Sequence, residues 1–135
     1  MNQVKIPRGQ DISQLTLHVS DSARSAVALI DREAVQIALV VDEHGYLLGT
    51  VTDGDIRRAL LRGENLDTPV EHVMHRDFRF LPATATDTEA LAMMRKHSLH
   101  QIPAVDEQGC IVRLFLLEEL IKPKTKRNPV VIVAG

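Results

Sequence analysis

Val35-Gln-Ile-Ala-Leu-Val-Val-Asp-Glu-His-Gly45 and Leu99-His-Gln-Ile-Pro-Ala-Val-Asp-Glu-Gln-Gly109 are two copies of one pattern. Val41, Asp42, Glu43 and Gly45 recur as Val105, Asp106, Glu107 and Gly109, an offset of 64 residues that runs without a gap to either side. Upstream it aligns Ser22 with Thr86, Ala26 with Ala90 and Ile30 with Met94. Downstream it aligns Val51 with Phe115, Asp55 with Glu119 and Ile56 with Leu120. A duplication whose apolar positions stay in phase through both flanks is one supersecondary unit used twice.

Each copy reads β-α-β-β-α. A short alternating strand leads in, over 15–19 and 78–83. A helix follows, capped by Ser22 or by Thr86, whose Thr86-x-x-Glu89 spacing is a capping box. Its apolar stripe is Ala26, Val27 and Ile30 in the first copy, and Ala90, Leu91 and Met94 in the second. A β-rich run comes next, 37–41 or 102–105. The Asp-Glu-x-Gly turn then reverses the chain, with glycine free to take a positive φ. Return strands span 47–51 and 111–115. Closing helices cover 55–62, stopped by Gly63, and 117–121, ahead of Pro123. Between the copies, Thr68-Pro69-Val70-Glu71 predicts a short linking helix with Thr68 as cap and proline in its first turn. Either sheet alone leaves one apolar face bare, and two packed copies cover both. The expected fold is therefore α/β: two repeats packed pseudo-symmetrically, sheets against each other and helices outside. The expected organisation is a leader at 1–12, repeat 1 at 13–66, repeat 2 at 67–122, and a linker with the start of a further domain at 123–135.

Composition excludes several function classes. A net charge of −2 with interspersed signs lacks the basic face of a nucleic-acid binder, and 3% aromatics leaves no stacking platform for single strands. No apolar run approaches the 18 residues of a membrane span, and Met1–Gln10 lacks the apolar centre of a signal peptide. A cytoplasmic location is expected. Cys110 has no second cysteine to pair with and no activating context, so it reads as unreactive. His72-x-x-His75 and His97-x-x-His100 have a spacing that can put two rings on one helical face, but nothing completes a metal set. The cluster from Lys122 to Arg127 reads as a solvated linker.

Gly49-Thr-Val-Thr-Asp-Gly-Asp-Ile-Arg-Arg-Ala-Leu60 closely resembles the signature of the cystathionine-β-synthase (CBS) domain: a glycine on a strand, then Thr/Ser-x-x-Asp, then an apolar residue opening a helix. Gln101-Ile-Pro-Ala-Val-Asp106 is similar to that family's proline-containing strand, and Val70-Glu-His-Val-Met74 to its inter-repeat linker. The resemblance covers roughly residues 13 to 122. It implies a tandem pair that senses a small ligand, carries out no catalysis, needs no cofactor and assembles face to face into a homodimer. The helices bearing Ile30, Met93 and Leu60 are the candidate interface.

Thr52-x-x-Asp55 has a physical meaning of its own. Thr52 stands where a strand ends and a helix begins, so its hydroxyl caps the helix or meets an anion, and the helix start favours phosphate by about 0.3–1 kcal/mol from its dipole. Asp55, acceptor-only when ionised, suits a vicinal diol. A capping box alone explains the same spacing without any ligand. Together with the resemblance, which implies adenosine nucleotides, the expected ligand set is Thr52, Asp53, Asp55, Arg57, Arg58, His100, Ile102 and Pro103. The second repeat departs from the pattern. Arg113 replaces Gly49, Leu116 replaces Thr52 and Glu119 replaces Asp55, so a degenerate second site is expected there.

The tail, Asn128-Pro-Val-Val-Ile-Val-Ala-Gly135, looks like the opening strand of a sugar-phosphate nucleotidylyltransferase domain. A C-terminal strand or a flexible end fits the same eight residues. The first reading makes the chain the N-terminal regulatory part of such an enzyme, with its own C-terminal catalytic domain as partner. A ligand-free dimerisation module is the structural alternative.

Overall fold

The computed structural model describes residues 11–33 and 35–121. The leader as far as Gln10, the Lys122–Arg127 cluster and the Asn128–Gly135 tail lie outside the described residues. The first unit comprises β1 (Thr16–His18), α1 (Ala23–Glu33), β2 (Ile37–Val41), β3 (Leu47–Thr52) and α2 (Asp53–Leu61). The second comprises β4 (Leu81–Pro82), α3 (Asp87–His97), β5 (Gln101–Val105), β6 (Ile111–Leu116) and α4 (Leu117–Leu120). Each sheet has three strands, ordered β1-β2-β3 and β4-β5-β6, with the lead-in strand parallel and the hairpin antiparallel.

The 64-residue offset holds down to single backbone pairs. Ile37 pairs Thr52 and Gln101 pairs Leu116; Leu17 pairs Val40 and Leu81 pairs Ala104. Even the register shift recurs, at Val40/Val41 and again at Ala104/Val105. Both turns are built alike. Gly45 and Gly109 take φ of +85° and +88°. Asp42 Oδ1 accepts the N–H groups of His44 and Tyr46 at 2.8 and 3.0 Å, and Asp106 Oδ1 those of Gln108 and Cys110 at 2.9 and 3.0 Å. The repeated aspartate is thus a turn residue whose side chain replaces missing backbone partners.

The two hairpins then join each other. Leu47 N–H donates to the Gly109 carbonyl at 3.0 Å, and Ile111 N–H donates to the Gly45 carbonyl at 3.1 Å. These bonds exchange under the same offset, so a local two-fold passes between Tyr46 and Cys110, which form an antiparallel bridge. Behind the junction one core crosses both units: Leu39, Val40 and Val51 of the first sheet share it with Val105, Ile111 and Leu114 of the second. Phe115, one residue along from Leu114, points to the other face and packs with Ala90 and Met94 of α3. Alternation along a strand therefore puts sheet against sheet on one side and helix on the other.

Several local expectations need correction. Val27 is 39% exposed, so the α1 stripe runs through Ala23, Ala26, Leu29 and Ile30. Ile30 itself is buried within the unit, while Val27 of the same helix stays exposed. β4 is only Leu81–Pro82, because the residues before it turn toward the cleft described below. The linking helix is a 3-10 turn at Val70–His72 with Pro69 as its cap and no side-chain bond. Thr68 does not cap it; its hydroxyl accepts from Asn65 N–H at 3.2 Å and donates to Glu64 Oε1 at 3.2 Å. Meanwhile the carbonyls of Thr68 and Leu66 receive the N–H groups of Ala23 and Arg24 at 2.8 Å each, so the linker itself closes the start of α1. Neither histidine pair shares a helical face. His72 ends the 3-10 turn while His75 pairs with Thr50, and α3 ends at His97 with a left-handed turn at Ser98 before His100. Among the described residues no helix is long and apolar enough to cross a membrane.

The junction can be probed at its glycines. A Cβ at Gly45 meets nothing within 4 Å, whereas at Gly109 it collides with the Tyr46 ring. Gly45→Ala is expected to cost about 1–2 kcal/mol for its positive φ alone. Gly109→Ala should cost about 1–3 kcal/mol more, and Tyr46→Ala should remove that excess, as read from urea midpoints. Equal losses at the two glycines would contradict the packing. Cys110 offers a second probe. Burial, then the nearby Asp106 and Asp42 carboxylates, push its thiol pKa up, and its Sγ–H donates to the His44 carbonyl at 3.4 Å. A raised pKa leaves less thiolate at pH 8, so an aromatic disulfide reagent should react roughly several-fold slower than with a free thiol. Reaction at the free-thiol rate would mean that the hairpins separate readily.

Candidate functional site

The start of α2 is set by three residues. Thr52 ends β3 in extended conformation (φ −120°, ψ 172°), which aims its hydroxyl back at the helix. Its Oγ1 accepts the Asp55 N–H at 3.3 Å, and Asp55 Oδ2 accepts the Thr52 N–H at 2.9 Å, a complete capping box. Thr52 Oγ1–H also donates to Asp55 Oδ2, at 3.0 Å. The other carboxylate oxygen, Oδ1, takes Arg58 Nη2 at 2.9 Å. Asp55 is only 9% exposed, and among the described residues Thr50 is the other buried polar one.

A cavity of about 1090 Å³ opens over this helix start. Thr52 to Asp55 and Arg58 form one wall, Ser98 to Gln101 with Pro103 the facing wall, and Asp77 to Phe80 a third. Both units and the segment joining them therefore contribute. That segment is held to β3 by a reciprocal pair: Thr50 N–H donates to the His75 carbonyl at 3.0 Å, and His75 N–H to the Thr50 carbonyl at 2.8 Å. Gly49 makes this approach possible, because a Cβ there would lie 2.7 Å from Met74 Sδ and 3.0 Å from the His75 carbonyl oxygen.

Six of the eight expected ligand residues line the cavity: Thr52, Asp53, Asp55, Arg58, His100 and Pro103. Two do not. Ile102 is fully buried in the α3 core with Phe115, since it alternates to the opposite face from Pro103. Arg57 is absent from the lining, although its Nη2 comes within 3.6 Å of where a Cβ at Gly54 would stand.

In the second unit, Arg113 lies across Phe115, its guanidinium carbon 4.0 Å from the ring centroid, with Nη2 3.7 Å from Asp87 Oδ1. It fills the place that Gly49 leaves open in the first. Leu116 opens α4 with no side-chain cap, and Glu119 sits in that four-residue helix. None of the three lines the cavity.

Sequence reasoning missed the third wall. Phe78 and Phe80 lie there with ring centroids 5.9 Å apart and planes tilted by 58°. The stretch had a readable signal, since it holds two of the chain's three phenylalanines. Reading those residues as a strand from 78 onward hid it.

Residues 11–62 and 70–123 each match the CBS domain. Among curated proteins, arabinose 5-phosphate isomerase GutQ of Salmonella typhi is 30% identical over 112 residues, covering 83% of this chain and 34% of that protein. The chain spans about a third of the length of the curated relatives it matches first. Two solved structures share the fold. The CBS domain protein PAE2072 from Pyrobaculum aerophilum, complexed with AMP, superposes with a TM-score of 0.68 at 19% identity, covering 82% of this chain and 85% of that one. The CBS domain pair of protein MJ0100, in complex with 5′-methylthioadenosine and S-adenosyl-L-methionine, gives 0.68 at 24% identity, covering 78% and 83%. With both repeats matched, their backbone pairing duplicated and the fold shared, the chain belongs to the CBS-domain family as a tandem pair.

Proposed function

We propose that this chain is a regulatory, non-catalytic module that binds an adenosine nucleotide in the cleft between its repeats and controls an attached catalytic domain. The observation that carries the reading is the cavity of about 1090 Å³ at the start of α2, walled by both units. A ligand seated there touches both repeats and the linker at once, so its binding energy acts on their relative arrangement. Thr52 and the first turn of α2 receive the phosphate, Asp55 the ribose hydroxyls, and Phe78 with Phe80 offers an aromatic wall to the base. His100 and Pro103 close the opposite side. The AMP complex of PAE2072 and the adenosyl complexes of MJ0100 support this ligand class. Arg113, Leu116 and Glu119 mark the second repeat as altered.

The module is read as cytoplasmic and homodimeric, with Leu60 and Leu61 of α2 exposed at 46% and 81% as the apolar contact. The partner domain is read from Asn128–Gly135 as a sugar-phosphate nucleotidylyltransferase, continuing from a linker that begins at residue 123. GutQ, an isomerase of a sugar phosphate, favours a second reading in which the attached domain is an isomerase. Sugar-phosphate chemistry is common to both.

Thermal melting against AMP, ADP, ATP, their guanine counterparts and S-adenosylmethionine tests the ligand. At a hundredfold excess over Kd the stabilisation is about 2.7 kcal/mol, a rise of about 5–15 °C for a domain of this size. No shift with any of them would leave the ligand-free dimerisation module standing. Calorimetric titration then assigns the repeat. Asp55→Ala is expected to weaken binding by roughly 10- to 100-fold through a lost charge-assisted bond, and Glu119→Ala to change it little. Asp55→Ala also loses the capping box, worth about 1–2 kcal/mol, so cooperative melting of the variant must be shown first. Loss of binding from Glu119→Ala alone would put the site in the other repeat.

A further inference from the structure

Asp55 already accepts three hydrogen bonds, which leaves one acceptor site for a ligand. Its Oδ2 is held by the N–H and the hydroxyl of Thr52, bonds that belong to the helix cap and are fixed by the backbone. Its Oδ1 is held by Arg58, whose side chain is 62% exposed and free to rotate away. Oδ1 keeps one acceptor site beside Arg58, so a single ribose hydroxyl can be taken as the site stands. A vicinal diol that places both hydroxyls on Asp55 needs the site that Arg58 occupies. The same guanidinium reaches the first turn of α2: a Cβ at Gly54 would sit 3.3 and 3.4 Å from its two terminal nitrogens, with Arg57 Nη2 at 3.6 Å. Arg58 thus covers both the ribose acceptor and the turn where a phosphate would lie.

We propose that Arg58 selects phosphorylated over neutral adenosine ligands by exchanging partners. With the cleft empty it pairs with Asp55; with a nucleotide bound it cedes Asp55 to the ribose and turns to the phosphate. A neutral nucleoside breaks the Asp55 pair and returns nothing to the freed cation. A nucleoside monophosphate gives it a planar, two-oxygen acceptor. The opening is easy because the arginine end of the pair is 62% exposed, which holds its bias to about 2- to 5-fold. Gly54 lets the guanidinium approach this closely, since a Cβ there would make it give by a few tenths of an ångström. The second unit has Glu118 at the position equivalent to Gly54, and Leu116 at the cap, so it has no such exchange. This inference rests on the adenosine-nucleotide reading of the cleft.

Calorimetric titration of adenosine and of AMP into the wild-type chain, Arg58→Met and Arg58→Lys provides the test. Arg58→Met is expected to bind adenosine about 2- to 5-fold tighter and AMP roughly 10-fold weaker or more, with Arg58→Lys intermediate for AMP. The opposite signs are the signature, because damage to the fold moves both ligands the same way. A shift of both in one direction, or no gain for adenosine in a variant that melts cooperatively, would overturn the exchange while leaving nucleotide binding intact. A wild-type chain that binds neither ligand would sink the nucleotide reading itself, and the exchange with it.

Discussion

The Leu47 N–H to Gly109 carbonyl bond and its mirror, Ile111 N–H to the Gly45 carbonyl, hold the two hairpins head to head. Three strands and two helices make too small a core to stand alone, and each sheet would show one apolar face to water. The paired bonds place the two faces against each other, and the shared core from Leu39 to Leu114 forms behind them. They also define the axis about which everything else is arranged. Glycine at 45 and 109 is needed because each turn has a positive φ, and at 109 because the Tyr46 ring packs directly on it.

Around that axis the halves are nearly interchangeable, which makes their differences informative. A scaffold needs only the common part. Gly49 against Arg113 is the plainest case. Glycine leaves room for the inter-repeat segment to dock on β3 through Thr50 and His75, and that segment then walls the cleft. Arginine fills the corresponding volume over Phe115 and ties back to Asp87. Thr52 against Leu116 is the second: one helix begins with a reciprocal cap, the other with none. The first unit's versions serve the cavity, since Thr52 lines it and Gly49 admits its third wall, while Arg113 and Leu116 lie outside the lining.

Asp55 serves two masters in this arrangement. As the third residue of α2 it holds the Thr52 amide and stabilises the helix start by about 0.3–1 kcal/mol through the dipole. As a buried carboxylate at a cavity wall it is also an acceptor within reach of a ligand. The two roles share one group through its two oxygens: Oδ2 belongs to the cap, and Oδ1 is held only by a mobile arginine. A helix cap alone has no need of the second oxygen.

The repeat, the element order, the glycine turns and the α2 capping box were all legible in the sequence, because each is decided by neighbours a few residues apart or by direct identity across 64 positions. Hydrophobic phase named most of the core for the same reason. The linker was not legible. Thr68 looks like a helix cap, but its backbone carbonyl is drawn into closing α1, a contact across 45 residues that no local pattern encodes. Nor did the sequence reveal that Ile102 and Pro103, adjacent and both apolar, face a sealed core and an open cleft respectively; the pleat of a strand packed between two layers decides that. Phe78 and Phe80 become a cavity wall only because Gly49 lets the chain lie against β3, whereas the Asp55–Arg58 pair is a local i,i+3 contact of α2. Local chemistry chose the elements, and the burial of two faces against each other chose what those elements enclose.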